Sequence, residues 1–248
     1  MKINVLFSPL NVDDLYFTGK TTVVIDVLRA STTIITALSR DAREVIPVNS
    51  IEFAMKVSGN AFGGQTLLGG ERNTKMIEGF TFGNSPLEYD TDSISGKSII
   101  LFTSNGTKAV VKAKFSENLF IACFNNLKIT AQYAAYLGND LEILCAGSSG
   151  MFCIEDSVCA GKLIHEIRNI KDDVIITDAA RASLVLSETL GLDVYKMLSE
   201  CEHGQLLIKN GFEEDIKFCA ELNNNNIVAN FKTGVVKKTV LPDNEYTA

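Results

Sequence analysis

Short hydrophobic runs of strand length recur along the chain, with longer periodic segments between them. The runs alternate only weakly between apolar and polar positions, which is typical of strands covered by helices on both faces. They predict strands at residues 3–7, 22–27, 44–48, 66–69, 98–103, 119–124 and 141–146. The intervening segments predict helices at residues 31–39, 51–58, 106–114, 126–137, 154–168 and 178–190. This alternation favours a three-layer α/β/α fold with a largely parallel, or mixed, sheet.

The pattern changes after residue 192. Helices are predicted at residues 196–210 and 213–222, and two paired strands at residues 227–232 and 235–240. The asparagine run at 223–226 predicts a turn, and Thr233-Gly234 predicts the tip of the hairpin. Since no proline-rich linker or low-complexity segment interrupts the chain, we expect residues 1–248 to form a single α/β domain that this last part closes.

The composition is that of a globular protein with a sizeable core. Hydrophobic residues make up 46% of the 248 positions and charged residues 21%, which argues against disorder. The longest aliphatic or aromatic run, residues 99–102, is far shorter than the roughly 20 residues of a membrane helix. The formal charge of −7 argues against nucleic acid or an anionic membrane as a partner.

Cysteine usage points to a reducing compartment. The first residues predict a strand rather than a signal peptide, and the chain has six cysteines but no Cys-x-x-Cys pair. We therefore expect reduced thiols in the core of a cytoplasmic protein.

Four junctions at the carboxyl ends of predicted strands carry polar residues that suit a binding site. Ligands in open α/β sheets bind at this edge, where loops lead into helix N-termini. The first junction holds Asp26 and Arg29 after a strand, and Ser31 in the opening turn of the next helix. The spacing places Ser31 on the inward-facing stripe of that helix. The alternative here is a helix cap with a surface ion pair.

The second junction combines Glu71 and Arg72 with the later residues Asn84 and Ser85. Two glycines precede Glu71 and permit a close backbone approach or an unusual turn. Ser85 is followed by Pro86 and also fits a helix cap, so capping and binding both stay open for it. Helix capping does not explain the adjacent charged pair, Glu71 and Arg72.

The third junction is a turn of small polar residues, Ser104-Asn105-Gly106-Thr107, between a strand and a helix. Free backbone amides and the positive end of the helix dipole make such a turn suited to phosphate or sulfonate. A plain Asn-Gly turn is the alternative.

The fourth junction leads into a helix that begins with Glu155 and Asp156. The apolar stripe of this helix includes the position of Asp156, so its carboxylate is expected to point toward the sheet. Acids in a first helical turn also interact with the helix dipole, which is sufficient to explain Glu155.

The four junctions together carry motifs whose order and spacing are specific. They are VIDVLRASTT at 24–33, GER at 70–72, GF at 79–80, GNSP at 83–86, TSNGT at 103–107, AGSSG at 146–150, ED at 155–156 and CAG at 159–161. This set resembles the 2-phosphosulfolactate phosphatase family, with weaker similarity through residues 202–204 and 211–220. Asn73 departs from the family pattern, which favours a glycine nearby.

The resemblance implies a magnesium-dependent phosphatase that converts 2-phospho-3-sulfolactate to 3-sulfolactate and phosphate, a step toward coenzyme M where that cofactor is made. The residues and the resemblance together suggest three roles. We expect catalytic roles for Asp26, Arg29, Glu71 and Arg72, substrate binding by Ser31, Asn84, Ser85, Ser104, Asn105, Gly106 and Thr107, and Mg²⁺ binding by Asp26, Glu155 and Asp156.

The chemistry of these side chains suits a small anion with several charges. Arg29 and Arg72 supply planar forks for phosphate or carboxylate, and Mg²⁺ prefers oxygen ligands. Asp26 is open between a metal ligand and a covalent nucleophile. Two other functions also stay open, a phosphatase for another small 2-phospho acid and a non-catalytic protein that binds small anions. As partners we expect a small phospho-sulfo acid and a second copy of the chain in a homodimer.

Overall fold

The computed structural model describes residues 1–60 and 66–239, and its strands form one eleven-stranded sheet. The strands are β1 Lys2–Leu6, β2 Thr21–Ile25, β3 Glu44–Val48, β4 Thr66–Arg72, β5 Lys75–Met76, β6 Ser98–Phe102, β7 Asn118–Ala122, β8 Leu141–Cys145, β9 Ile175–Ile176, β10 Ala229–Lys232 and β11 Val235–Lys238. The helices are α1 Ala30–Ser39, α2 Ile51–Asn60, α3 Thr91–Ile94, α4 Gly106–Lys112, α5 Leu127–Leu137, α6 Ile154–Ile170, α7 Asp178–Thr189, α8 Val194–Glu200, α9 Glu202–Lys209 and α10 Glu213–Cys219.

The sheet consists of two parallel groups joined by an antiparallel hairpin. Its strand order is β5-β4-β6-β3-β11-β10-β7-β2-β8-β1-β9. Strands β4, β6 and β3 are parallel to one another, and so are β7, β2, β8, β1 and β9. Between them, β11 pairs antiparallel with β3, and β10 pairs antiparallel with β7. The α/β prediction is confirmed, and the sheet is largely parallel with antiparallel strands.

All seven predicted strands in the first part of the chain form, and so does the hairpin. Its tip is Thr233-Gly234, where both residues have the positive φ that a tight two-residue turn requires. Residue 240, the predicted end of the last strand, lies outside the described residues.

Helices cover both faces of the sheet, which is why its strands lack clear alternation. Along β7, Phe120 packs into a core with α5, α6 and α7, whereas Leu119 and Ile121 pack into a second core with α1 and α4. This second core also takes Val45 from β3 and Ile99 from β6, so α1 and α4 bury side chains of both parallel groups.

The prediction of a single helix at 196–210 was wrong, because the chain turns at Cys201 between α8 and α9. Cys201 is extended, with ψ 156, and its Sγ accepts a hydrogen bond from the Gly204 amide at 3.3 Å. A side chain at Gly204 would collide with the Leu198 carbonyl, so the two helices pack this closely only around a glycine. Because of this break, the start of α9, including His203, lies at the carboxyl edge of the sheet.

The cysteine prediction is confirmed at the level of structure, since all six thiols are buried and none forms a disulfide. Among the described helices, none combines the length and apolar character that a bilayer crossing requires.

Candidate active site

A small pocket opens at the carboxyl ends of β2, β4 and β6. Five predicted site residues line it, namely Asp26, Arg29, Glu71, Asn84 and Asn105. Four further lining residues, Leu28, Thr74, Thr103 and His203, were not among the predicted ones. The junctions after three strands therefore meet at one place, although β2 belongs to one parallel group and β4 and β6 to the other.

Asp26 follows directly after β2 and is buried. Its Oδ1 accepts a hydrogen bond from the Ala30 amide at 3.2 Å, and its own amide donates to Ser31 Oγ at 2.9 Å. Burial, together with the nearby carboxylates of Glu71 and Glu155, raises the pKa of Asp26 to about 7. This carboxyl group therefore changes charge near neutral pH, which suits a general acid or base in catalysis.

The start of α4 packs against Asp26 only because residue 106 is glycine. A Cβ at Gly106 would collide with the Asp26 carboxylate and with Ala30 Cβ. Close packing of α4 against Asp26 therefore requires a glycine at position 106, apart from the predicted contact of Gly106 with substrate.

Arg29 is fixed by a buried ion pair with Asp215 on α10. Its Nη1 lies 2.6 Å from Asp215 Oδ2, and the two side chains are only 2% and 3% exposed. The guanidinium also stacks on Phe212, at 4.3 Å from the ring centroid, and its Nη2 donates to the Thr74 carbonyl at 3.1 Å. Ser85 Oγ donates to the other Asp215 oxygen at 2.6 Å. Ser85 thus helps to orient Arg29 through Asp215 and does not itself line the pocket.

Asp215 was missed because it lies in a run of three acids at the start of α10, which resembles an ordinary solvated helix start. A usable signal was present, since residues 215, 216 and 219 share one side of the helix. Ile216 and Cys219 on that side are fully buried.

Glu71 is held by two backbone amides. Its Oε2 accepts from the Thr74 amide and its Oε1 from the Ser104 amide, both at 2.8 Å. The first of these bonds closes the turn between β4 and β5, and the second links that turn to the end of β6. Arg72, the next residue along β4, is exposed and lies outside the pocket lining.

The close backbone approach predicted for the glycine pair is confirmed. The Gly70 amide donates to the carbonyls of Phe82 and Gly83 at 3.1 and 3.0 Å. A Cβ at Gly70 would collide with the Phe102 carbonyl of the neighbouring strand. These contacts hold residues 82–84 against the end of β4, and Asn84 thereby lies at the pocket.

Several amides of the third junction already have partners within the protein. The Ser104 amide donates to Glu71, and the Thr107 amide donates to Thr103 Oγ1 at 3.0 Å. The part of this turn that lines the pocket is Asn105, whose Oδ1 accepts from the Ser149 amide at 3.1 Å. Substrate binding through this turn therefore stays a prediction, and Asn105 is the residue of the turn that lines the pocket.

Asp156 points toward the sheet, as its helical position predicted. Its Oδ1 accepts from the Val27 amide at 2.9 Å and its Oδ2 from the Gly147 amide at 3.1 Å, so it ties together the chain just past β2 and β8. Burial and the nearby carboxylates of Asp26 and Glu155 raise its pKa well above the usual range. Glu155 is also buried and lines a groove beside the pocket, and His203 lines both.

Comparison with known proteins assigns the family. The model of the 2-phosphosulpholactate phosphatase family matches residues 9–234. The chain belongs to this family. Relatives named probable 2-phosphosulfolactate phosphatase occur in Caldanaerobacter subterraneus, at 37% identity over 92% of this chain and 94% of the relative, and in Clostridium novyi, at 37% identity over 93% and 97%. A third, from Symbiobacterium thermophilum, is 37% identical over 88% of this chain and 94% of its own length.

As a member of this phosphatase family, the chain is a phosphoric monoester hydrolase. The substrate of such an enzyme is an anion, so the charge around the pocket bears on how a substrate can bind. Asp26 and Glu71 line the pocket, and the positive charge of Arg29 is compensated by Asp215. Glu155 and Asp156 bring two further buried carboxyl groups to the same edge. A multiply charged anion in this pocket would meet more negative than positive charge unless a cation accompanied it.

The carboxylates at this edge of the sheet are oxygen donors, the kind of ligand that Mg²⁺ prefers. Within residues 1–60 and 66–239, no group of three or more His, Cys, Asp and Glu side chains is placed to hold a metal ion. Mg²⁺ commonly takes only one or two carboxylates and completes its shell with water and substrate oxygens. Asp26 and Glu155 suit this mode, whereas both Asp156 oxygens already accept amide hydrogen bonds.

Proposed function

We propose that the protein hydrolyses 2-phospho-3-sulfolactate to 3-sulfolactate and inorganic phosphate. The observation that carries the proposal is the pocket itself, where Asp26 and Arg29 from the end of β2 meet Glu71 from the end of β4. Family membership and the names of the relatives support the substrate.

The reaction breaks the bond between phosphorus and the ester oxygen and forms a new bond from phosphorus to the oxygen of water. The ester oxygen must gain a proton, and the attacking water must lose one. The protonated form of Asp26 suits donation to the ester oxygen, and its ionised form suits attack on phosphorus or removal of the water proton. Arg29, held in place by Asp215, would present a preorganised positive charge to the phosphoryl oxygens.

Mg²⁺ is the cofactor that we propose. Asp26 and Glu155 would hold it, and Asp156, whose two oxygens accept backbone amides, would contribute its charge nearby. When bound, it would supply the positive charge that offsets the charge of the phosphoryl group. The excess of buried carboxyl groups at this edge of the sheet supports the proposal.

Purified protein should release phosphate from 2-phospho-3-sulfolactate in the presence of Mg²⁺. We expect the rate to fall on the order of a hundredfold or more in excess EDTA, because the charge of the phosphoryl group is then not offset. Addition of Mg²⁺ should restore the rate. A parallel series of 2-phospho acids without sulfonate, compared by kcat/KM, tests the choice of substrate.

Three results would change this picture. A higher kcat/KM for 2-phospholactate would assign the activity to another 2-phospho acid. Saturable binding of 3-sulfolactate without turnover of any ester would indicate an anion-binding protein. Full activity in EDTA would remove Mg²⁺ from the proposal.

Magnesium should stabilise the protein more at pH 8 than at pH 5.5. The pKa of Asp26 is about 7 in the folded protein and near 4 in an unfolded chain, so the folded state binds more protons between these values. Stability therefore falls as the pH rises through this window, and ionised Asp26 becomes available to a cation at its upper end. Thermal unfolding with and without Mg²⁺ at both pH values measures the effect. An equal shift at both values, or an undiminished shift in Asp26→Asn, would contradict a role for Asp26.

The cytoplasmic location, the homodimer and a step in a pathway toward coenzyme M stay predictions. Sedimentation of the purified protein tests the dimer directly.

A further inference from the structure

Two buried polar atoms at the pocket have no hydrogen-bond partner, Thr74 Oγ1 and Asn84 Oδ1. The residues are only 5% and 4% exposed. A buried polar group without a partner is unfavourable, and native structures contain few. The other buried side-chain oxygens without a partner among the described residues, on Thr66, Thr130 and Ser183, lie outside the pocket lining.

Thr74 is held in position by two of the residues that we assign to catalysis. Its amide donates to Glu71 Oε2 at 2.8 Å, and its carbonyl accepts from Arg29 Nη2 at 3.1 Å. Its φ of 67° lies in the left-handed region, which is unfavourable for a β-branched residue. A backbone that its neighbours constrain therefore holds Thr74, with its unpaired hydroxyl, in the lining of the pocket.

We propose that the Thr74 hydroxyl, together with the Asn84 amide, binds an oxyanion group of the substrate. Arg29 in the lining is already paired with Asp215, and Asp26 and Glu71 are acidic, so uncharged donors would supply further hydrogen bonds to an oxyanion there. A hydroxyl donates one hydrogen bond, and an amide turned about its last bond presents two N–H donors. The inference rests on the proposed function, since it assigns Thr74 as a substrate-recognition residue of the same pocket.

Thr74→Val tests the hydroxyl without changing the shape or β-branching of the side chain. We expect the Kd for 3-sulfolactate, and the KM for 2-phospho-3-sulfolactate, to rise on the order of 10- to 100-fold, as for loss of a hydrogen bond to a charged group. The Tm of the ligand-free variant should stay the same or rise, because a buried unpaired hydroxyl has been removed. Thr74→Ser should restore binding.

Thr130→Val is the matched control, because it removes a buried, unpaired hydroxyl from α5, outside the pocket. It should leave Kd and KM unchanged. Calorimetric titrations with 3-sulfolactate and with inorganic phosphate distinguish the two ends of the substrate. Weaker binding of 3-sulfolactate alone would place Thr74 at the sulfonate or carboxylate, and weaker binding of phosphate would place it at the phosphoryl group.

The inference is overturned if Thr74→Val binds both probes as tightly as Thr130→Val does. It is also overturned if Thr74→Val lowers the Tm and Thr74→Ser restores the Tm without restoring affinity, because the hydroxyl would then be structural. The proposed function fails separately, if the wild-type protein releases no phosphate from any 2-phospho acid.

Discussion

Asp26→Asn should lower kcat by about a thousandfold while leaving the fold at least as stable as the wild type. Loss of general acid–base catalysis alone removes on the order of 10²–10⁴ in rate, and Asp26 is also our candidate nucleophile and metal ligand. The free energy of unfolding should stay the same or rise, because burial and nearby negative charge disfavour the ionised Asp26 carboxylate of the wild type at neutral pH. The amide side chain keeps an oxygen to accept from Ala30.

Initial rates of phosphate release and thermal unfolding at pH 8 measure both effects. Asp92→Asn, at an exposed position in α3, is a suitable control and should change neither quantity. If Asp26→Asn kept a tenth of the wild-type kcat, Asp26 would be a structural residue at the pocket. If the variant lost both activity and stability, the rate would say nothing about catalysis.

Arg29→Ala should reduce both rate and stability, for two different reasons. Loss of a preorganised positive charge lowers kcat on the order of 10²–10³-fold. Asp215 would then be left buried without its partner, and breaking a buried ion pair in this way costs about 3–5 kcal/mol. Urea unfolding and steady-state kinetics report the two losses independently.

The double variant Arg29→Ala/Asp215→Ala separates the two reasons. With no unpaired charge left in the interior, part of the lost free energy of unfolding should return. The rate should not return, because the positive charge is still absent. Recovery of kcat in the double variant, or a loss of less than threefold in Arg29→Ala, would remove Arg29 from the mechanism.

The strands and helices that carry long apolar patterns were predictable, and those fixed by few residues were not. β5 and β9 have two residues each, which is too short for any pattern to be recognised. The apolar periodicity continues through Cys201, so the break between α8 and α9 depends on local packing around Gly204.

The site was predictable where side chains follow directly after strands, because the carboxyl ends of parallel strands lie at one edge. Thr74, His203 and Asp215 reach the pocket or its surroundings from a turn and two later helices, and no pattern near Asp26 points to them. Arg29 lines the pocket, whereas Arg72 is exposed to solvent. Successive residues of a strand point to opposite sides, so a buried Glu71 turns Arg72 outward.

The hairpin of β10 and β11 determines when the pocket can first exist during synthesis. Asp26 comes from one parallel group of strands, and Glu71 and Thr103 come from the other, with the hairpin between them. It follows all the other strands of the described residues in chain order, so a nascent chain can hold both groups of strands before the segment that joins them has emerged from the ribosome. Catalytic competence is therefore expected only after residue 238 has been synthesised and the hairpin has paired with β3 and β7.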